Sequence, residues 1–491
     1  MRMSGGTRMI SNPSHRTPCT ILAVFALVHA LIFVPNHLLF RTAALDLGLY
    51  THAAFTYAHG HLADCMLFLG DHHLLLADHF DLHLLLWSPL TWIFGTWTLL
   101  LVQWAAVLGG AWGMYRWLSA LGAPHRIATL GLVHFCAFFG IIGAFTFDFH
   151  SNVVATIALP WFGLALHHRR WYTSWLLLLF MLAAKENMGI WLSAVTFGFL
   201  LHYWRDRRMR TILAAQSLIA LAWSVVVIAW VMPALSDGGG YDNWKFPALG
   251  HGPMDALRTI IGHPLNVIDA LLDGGGVHQG RAIKLEMLLF VFLTGGWAML
   301  CRPWTLVMIV PLLLQKLLHE GPVQWSVLAH YAVEFAPLCT FAIYGWPALW
   351  EPQRWKVRLT WMGALLSVAV TFRVMDASIY TEDRAKQRFY QSDHYHRDFD
   401  VRGVRAILAS VPGDASISVL SPLLPQLTMR KNLYLFPIAP QVDYILLATR
   451  VEPYPLNKGQ FAEALDSLAN SRFWHLEKQC DGAVLYMRTS P

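Results

Sequence analysis

Apolar runs of about 17 to 25 residues, each long enough for a helix to cross the hydrocarbon core, recur along the first three quarters of the chain. They predict spans near residues 19–40, 84–115, 127–146, 152–167, 171–185, 187–204, 211–233, 286–301, 303–319, 327–350 and 359–375, about eleven in all. The second is one long or broken segment with room for a re-entrant start. Arg2, Arg8 and Arg16 precede the first run in the manner of a signal-peptide start, but no small-residue cleavage site follows, which predicts a retained anchor. After Val374 the pattern changes: residues 376–491 hold no run long enough to span. There VRGVRAILASV has the helical spacing of apolar positions, ASISVL and VDYILLA read as buried strands, GQFAEALDSLANS as a second helix and GAVLYM as a closing strand. The predicted fold is mostly α: a polytopic transmembrane bundle over residues 1–375, with long loops at 41–83 and 234–285, followed by a small soluble α/β domain at 376–491.

Composition agrees with that pattern. Of the 491 residues 56% are hydrophobic and only 13% charged, with a mean hydropathy of +0.44, whereas soluble domains carry about 25% charged residues. A soluble enzyme, a coiled coil and a disordered chain are excluded. The net charge of +6 would suit nucleic acid, but its distribution points elsewhere. With the N-terminus in the cytoplasm, the alternating loops place 15 basic residues, Arg116, Arg169, Arg205 and Arg302 among them, against two acidic ones, Asp206 and Glu351, on the inner side. The 376–491 region is balanced, with 13 of each sign. This is the positive-inside pattern of a bacterial inner-membrane protein. It predicts that the loops 41–83 and 234–285 and the C-terminal domain face the periplasm, and that nucleic acid is no partner. The six cysteines show no CxxC spacing and no disulfide framework.

Ionisable side chains at membrane depth are costly, about 2.5–3.5 kcal/mol each on insertion scales, and mark candidate sites. They gather on the predicted external side. DLGLY sets Asp46 and Tyr50 directly after the first span. The same loop then carries His52, His59, His61, Asp64, Asp71, His72, His73, Asp78, His79, Asp81 and His83. Carboxylate and imidazole groups so spaced can hold a divalent metal, or act as base and partner, and in a helix His79 and His83 would share a face. FTFDFH brings Asp148 and His150 to the same level, Asp148 being equally suited to cap the next helix. LAAKENMG places Lys185 and Glu186 there, either as an interfacial ion pair or as a phosphate contact with a carboxylate partner. His330 and Tyr331, with Glu334 beyond them, form a further polar group beside an apolar run, open to a packing role or a site role. Two GGG runs in 234–285 suit a flap or a linker. No GxxxxGK[ST], HExxH or GxSxG occurs.

DLGLY, DHFDLHLLLWSPL, FDFH, KEN, HYAVEFAPL, DASISVLSPLLPQLTMRKNLYLFP and VDYILLA together resemble a bacterial family of polytopic membrane proteins of unknown function, whose fold is similar to the GT-C glycosyltransferases. The resemblance spans nearly the whole chain. It implies transfer of a sugar from a polyprenyl-phosphate donor in the membrane lipid to an envelope glycan, lipid or protein acceptor at the periplasmic face. By that resemblance Asp46 is the catalytic base and Lys185 the phosphate contact. Glu186, Asp148 and His150 complete the pocket, while Asp78 and His79 orient the base or hold a divalent metal, Mg or Mn; Tyr50, His330 and Tyr331 are further substrate-binding candidates from their positions in the chain. A transporter or flippase for a lipid-linked or small polar substrate is the alternative, since intramembrane charges serve that role too. An envelope scaffold is the third.

Overall fold

The computed structural model describes residues 16–64, 74–236, 244–381 and 383–489. Each of the eleven apolar runs is helical, but they differ in length. Among the described residues six helices are long and apolar enough to cross a membrane: Arg16–Leu38, His83–Ala120, His125–Thr146, Arg207–Leu235, Gly280–Leu300 and Arg354–Ala377. A seventh unit, Pro322–Ala332 with Phe335–Tyr344, is bent by 66° at its break. The remaining apolar helices, Ser151–His167, Trp171–Leu182, Met188–His202 and Pro303–Leu317, are shorter. The expectation of about eleven spans is thereby refined to six full-length helices, one bent pair and four short ones. The long segment 83–120 is broken as the sequence suggested: 3-10 turns at Ser88–Leu90 and Gly95–Trp97 interrupt it, where Pro89 and Gly95 sit, before the helix Thr98–Ala120.

His125–Thr146 forms the centre, with 89% of its apolar window buried against 22% for Arg16–Leu38 and Arg207–Leu235 at the rim. It is interrupted at Ala137, and the carbonyls that the interruption frees must be satisfied inside protein, because lipid offers no donors. Thr371 Oγ1 donates to the Ala137 carbonyl at 2.7 Å and Ser367 Oγ to that of His134 at 3.1 Å, while the His29 ring lies 3.3 Å from that of Cys136. The His134 ring joins two further elements, its Nε2 lying 2.8 Å from the Thr294 carbonyl and its Nδ1 2.8 Å from Thr340 Oγ1. One neutral tautomer satisfies both contacts: Nε2–H donates and Nδ1 accepts from the hydroxyl.

The C-terminal region carries a five-stranded sheet of β1 (Ile417–Val419), β2 (Leu433–Leu435), β3 (Tyr444–Ala448), β4 (Trp474–Cys480) and β5 (Ala483–Arg488), ordered β2-β1-β3-β5-β4. The first three strands are parallel, and β5 and β4 close the sheet antiparallel. The helices Val401–Ser410 and Lys458–Ala469 stand where the sequence puts them, the second opened by a capping box of Asn457 and Gln460.

This unit is fastened to one end of the bundle, the domain face, by Arg41. Its buried guanidinium donates to the carbonyls of His394, Asp393 and His396 at 2.5, 2.8 and 3.0 Å. Nearby the Ser421 hydroxyl accepts from Ala44 N at 3.1 Å, and Gln426 donates to the His37 carbonyl at 2.8 Å. Leu424 lies so close to the short π-helix Ala44–Gly48 that a Cβ on Gly48 would sit 2.6 Å from its Cδ2. The loop that carries Asp46 is therefore pressed between the bundle and the C-terminal unit.

On the same face the turn Ala329–Ala332 crosses the helix Phe139–Thr146 at Gly140, where a Cβ would stand 2.2 Å from the Ala332 carbonyl oxygen. Only glycine permits that approach. Gly140→Val is expected to destabilise the bundle by about 1–3 kcal/mol through overpacking, seen as a lowered thermal unfolding midpoint of the detergent-solubilised protein. An unchanged midpoint would contradict the crossing.

Candidate functional site

The break between Thr146 and Ser151 shapes the floor of a polar pocket at the domain face. Asp148, in a left-handed conformation (φ 52°), turns its carboxylate back to accept from Ala43 N at 2.8 Å. The buried amide of Gln103 locks this turn, donating to the carbonyls of Ala144 and Asp148 at 3.1 and 2.9 Å and accepting from His150 N at 3.0 Å. Asp148 thus holds the Asp46 loop; it does not cap the helix Ser151–Ile157, whose N-cap residue is His150. With chain direction fixed on both sides, the His150 Nε2 lies 3.4 Å from Asp46 Oδ1.

His150 is the hub of the pocket. Its ring stacks on that of His330, with centroids 3.4 Å apart and planes 17° from parallel, and meets Tyr50 edge-on at 5.9 Å. Tyr331 follows, its ring 3.9 Å from that of His330. Asp78 and His79 line the adjoining side, the His79 Nε2 lying 3.7 Å from Asp78 Oδ2, with the His79 ring 6.1 Å from Tyr50. The Lys185 ammonium is within electrostatic reach of His79, Asp81 and His150. Glu186 is buried and accepts from Phe80 N at 3.3 Å, so it ties the DHF segment down and does not form the ion pair with Lys185 that the sequence left open.

All ten candidate residues, Asp46, Tyr50, Asp78, His79, Asp148, His150, Lys185, Glu186, His330 and Tyr331, belong to this pocket or its immediate supports. Asp71, His72 and His73 lie outside the described residues. Two readings of the loop change. The helix Leu75–Asp78 ends at His79, which is extended (φ −132°, ψ 114°), so His79 and His83 do not share a helical face. His83 turns away and lies 2.7 Å from the Phe180 carbonyl as a packing residue. His52 and His59 likewise serve backbone carbonyls, those of Arg430 and Phe55.

Three residues escaped the sequence reading. Gln103 and Asn152 are lone amides in apolar runs, and Lys316 stands at the end of the short helix Pro303–Leu317. The Lys316 ammonium pairs with Glu334 at 3.3 Å, both side chains buried, and Asn152 donates to the other Glu334 oxygen at 3.0 Å. A single lysine closing a span normally reads as a snorkelling end residue, so only the partner across the pocket reveals its position.

Burial sets the electrostatics. It pushes the Asp148 carboxyl up to about 7, with Lys386 opposing and Asp46 reinforcing the shift, and it also raises Asp81 to about 7. Burial lowers both His150 and His79; beside His150 the Asp46 carboxylate counteracts this and Lys185 adds to it. Neutral His150 then donates from Nε2 to Asp46, and its Nδ1 is a buried atom with no hydrogen-bond partner among the described residues. As for a metal, Asp78 and His79 supply two donors, and among the described residues no group of three or more His, Cys, Asp or Glu side chains could hold an ion. A magnesium site takes more oxygen donors than these two described residues provide.

An integral membrane protein with its polar groups collected in one pocket at a helix-broken face is the class that fold and site define. The chain belongs to the predicted membrane protein family DUF2079, matched over residues 36–485. Among solved structures it is similar to the Archaeoglobus fulgidus oligosaccharyltransferase tethered to an acceptor peptide, at 10% identity and a TM-score of 0.41, over 89% of this chain and 69% of that one. No curated protein matches the chain.

The raised Asp148 value makes a pH prediction. A carboxyl held above its unfolded value near 3.8 binds its proton more tightly in the folded state, so it contributes stability at low pH that is lost as pH rises through about 7. Asp148→Asn keeps an acceptor for Ala43 N and removes the titration. The thermal midpoint of wild type minus that of the variant is expected to fall between about pH 4 and 7 and to level off above that; parallel profiles would show that Asp148 is not the titrating group.

Proposed function

We propose that this protein is an inner-membrane glycosyltransferase of the GT-C type, transferring a sugar from a polyprenyl-phosphate donor to an envelope acceptor at the domain face, which in this reading is the periplasmic face. The observation that carries it is that Asp46, paired with His150, and a cation with no carboxylate of its own both act on that one imidazole: among the described residues nothing forms an ion pair with Lys185, whereas Lys316 beside it is neutralised by Glu334. One partly open carboxylate and one uncommitted ammonium are what a displacement at a sugar phosphate requires.

In the transfer, Asp46, whose side chain is 27% exposed, takes the proton of the acceptor hydroxyl or amide as its lone pair forms a bond to the anomeric carbon. The bond from that carbon to the phosphate oxygen breaks, and the electron pair leaves on the phosphate. Lys185 stabilises that charge by a charge-assisted hydrogen bond. His150, donating from Nε2, keeps the Asp46 carboxylate oriented, and the stacked His330 ring keeps His150 in place.

A place for the lipid tail supports the reading. A groove of about 540 Å³ opens between the helices Met188–His202, Arg207–Val226 and Pro303–Leu317, lined by Ile190, Phe197, Leu306, Val310 and Pro311 among others. Ile190 follows Lys185 by five residues and Pro311 precedes Lys316 by five, so part of the groove's lining stands about one and a half helical turns of chain from each cation. The clustering of Arg116, Arg126, Arg169, Arg205 and Arg354 at helix ends away from the pocket supports the periplasmic assignment.

The test is transfer from radiolabelled undecaprenyl-phosphate sugar to an envelope extract by the nanodisc-embedded protein. Asp46→Asn is expected to reduce transfer by about 10²- to 10⁴-fold while donor binding persists. Lys185→Ala is expected to weaken donor binding by roughly 10- to 100-fold, the equivalent of one charged hydrogen bond. Transfer that survives both changes refutes the site. Donor that crosses the bilayer without any transfer favours the flippase reading instead.

A further inference from the structure

The segment between Phe246 and Leu272 contributes nothing to the pocket, yet its composition is unusual for a water-exposed loop. It folds into two short helices, Pro253–Gly262 and Pro264–Leu272. Small residues and aliphatics, Ala256 and Val267, pack with Leu249 and Leu318 beneath it. Outward it presents Met254, Leu257, Ile260, Ile261, Leu265 and Ile268, from 48 to 73% exposed. Met254, Leu257 and Ile261 fall at spacings of three and four, one stripe of the first helix; Leu265 and Ile268 continue it on the second. Six large aliphatic side chains in one patch demand a covering surface.

What covers them follows from where the helical pair is tied. The buried Lys284, one turn inside the spanning helix that begins at Gly280, donates to the Ala270 carbonyl at 3.1 Å and to the Leu317 carbonyl at 2.6 Å. The end of the pair is thereby held level with the first turn of a membrane helix and the last turn of Pro303–Leu317. That spanning helix continues with Leu285, Leu289 and Phe292 exposed at 46 to 51%, the side chains of a lipid-facing flank. Trp244 stands at the start of the segment, its indole nitrogen donating to the Gly250 carbonyl at 2.7 Å, in the manner of an aromatic at a membrane interface.

We infer that the helices 253–262 and 264–272 lie in the interface of the bilayer leaflet on the domain face, with the Met254, Leu257, Ile261 and Leu265 side immersed among the acyl chains. Leu317, held by Lys284, is the neighbour of Lys316 in the pocket. The immersed pair therefore forms the bilayer-side support of the polar site and fixes its depth relative to the lipid headgroups. The inference needs only a membrane-embedded chain and stands whether or not sugar transfer is the activity.

Spin labels at single cysteines test it, in the full-length protein in nanodiscs, with Cys19, Cys65, Cys301 and Cys480 replaced by serine. Labels at Ile261→Cys and Leu265→Cys are expected to be accessible to oxygen and shielded from a water-soluble nickel chelate, at a depth of about 5–10 Å below the headgroups. A label at Asn266→Cys, exposed on the side of the second helix turned away from Leu265 and Ile268, is expected to show the opposite preference. Two outcomes overturn the inference: nickel accessibility at 261 and 265 equal to that at 266, or shielding from both reagents, which would mean that a protein surface covers the patch. Because each label reports its own position and thermal unfolding of each variant shows whether it is folded, a misfolded variant is recognised as such and replaced by Leu257→Cys or Ile268→Cys.

Discussion

The pocket depends on one contact, the approach of His150 to Asp46, and everything around it acts to keep two polar groups together at the edge of an apolar bundle. An ionised carboxylate there is tolerated only when it keeps some water or finds donors. Asp46 does both: it is partly exposed and meets the Nε2 of a neutral imidazole. The ring is itself buried and has no freedom to turn away, being stacked on His330 and bounded by Tyr50 and Phe147. The two histidines can lie 3.4 Å apart because burial discourages charge on His150; two imidazolium ions at that separation would repel strongly in a medium of low dielectric.

That contact explains why the bundle is irregular on this face. To bring Asp46, Asp148, Lys185, His330 and Glu334 to one level, five apolar runs must stop or bend there, which is why Ser151–His167, Trp171–Leu182, Met188–His202 and Pro303–Leu317 are short and the Pro322–Tyr344 unit is bent. Each stop exposes backbone groups that lipid cannot satisfy. The protein answers with side chains in place of water: Gln103 for the 144–150 turn, Asp148 for Ala43, Glu186 for Phe80, and Ser224 for the Glu186 carbonyl. The C-terminal unit completes the arrangement from above through Ser421, Leu424 and Arg41. It is a structural part of the pocket as well as a separate sheet.

The sequence carried this picture unevenly, for physical reasons. Apolar runs report helices directly, because in lipid the pattern is set by composition alone, but they do not report breaks that side chains repair from elsewhere in the chain. The helix 335–344 and the turn before it read as one run. In the C-terminal region the buried strands β1, β3 and β5 were legible, whereas β2 follows directly on the polar run Arg430–Asn432 and β4, reading WHLEKQC on an exposed edge, lacks the apolar alternation of a half-buried strand. At the site, the charged motifs were legible because charge beside an apolar run is costly. The amide of Gln103 and the lysine of the Lys316–Glu334 pair were not, since a single polar residue in such a run acquires meaning only from its partner in space.

That same pair separates two cations that composition treats alike. Lys316 faces a buried carboxylate already held by Asn152, so its charge is compensated in the resting protein and its removal would strand Glu334. Lys185 has no such partner among the described residues, and neighbouring groups, His79, Asp81 and His150 among them, carry its influence in their own titration. A cation without a carboxylate partner is open to a charge-assisted hydrogen bond with an incoming anion. The neutral histidines beside it neither compete for that anion nor quench it. In the transfer reading this asymmetry assigns the leaving phosphate to Lys185 and leaves Lys316 as a fixed part of the wall, joined through Leu317 and Lys284 to the helical pair at the membrane surface.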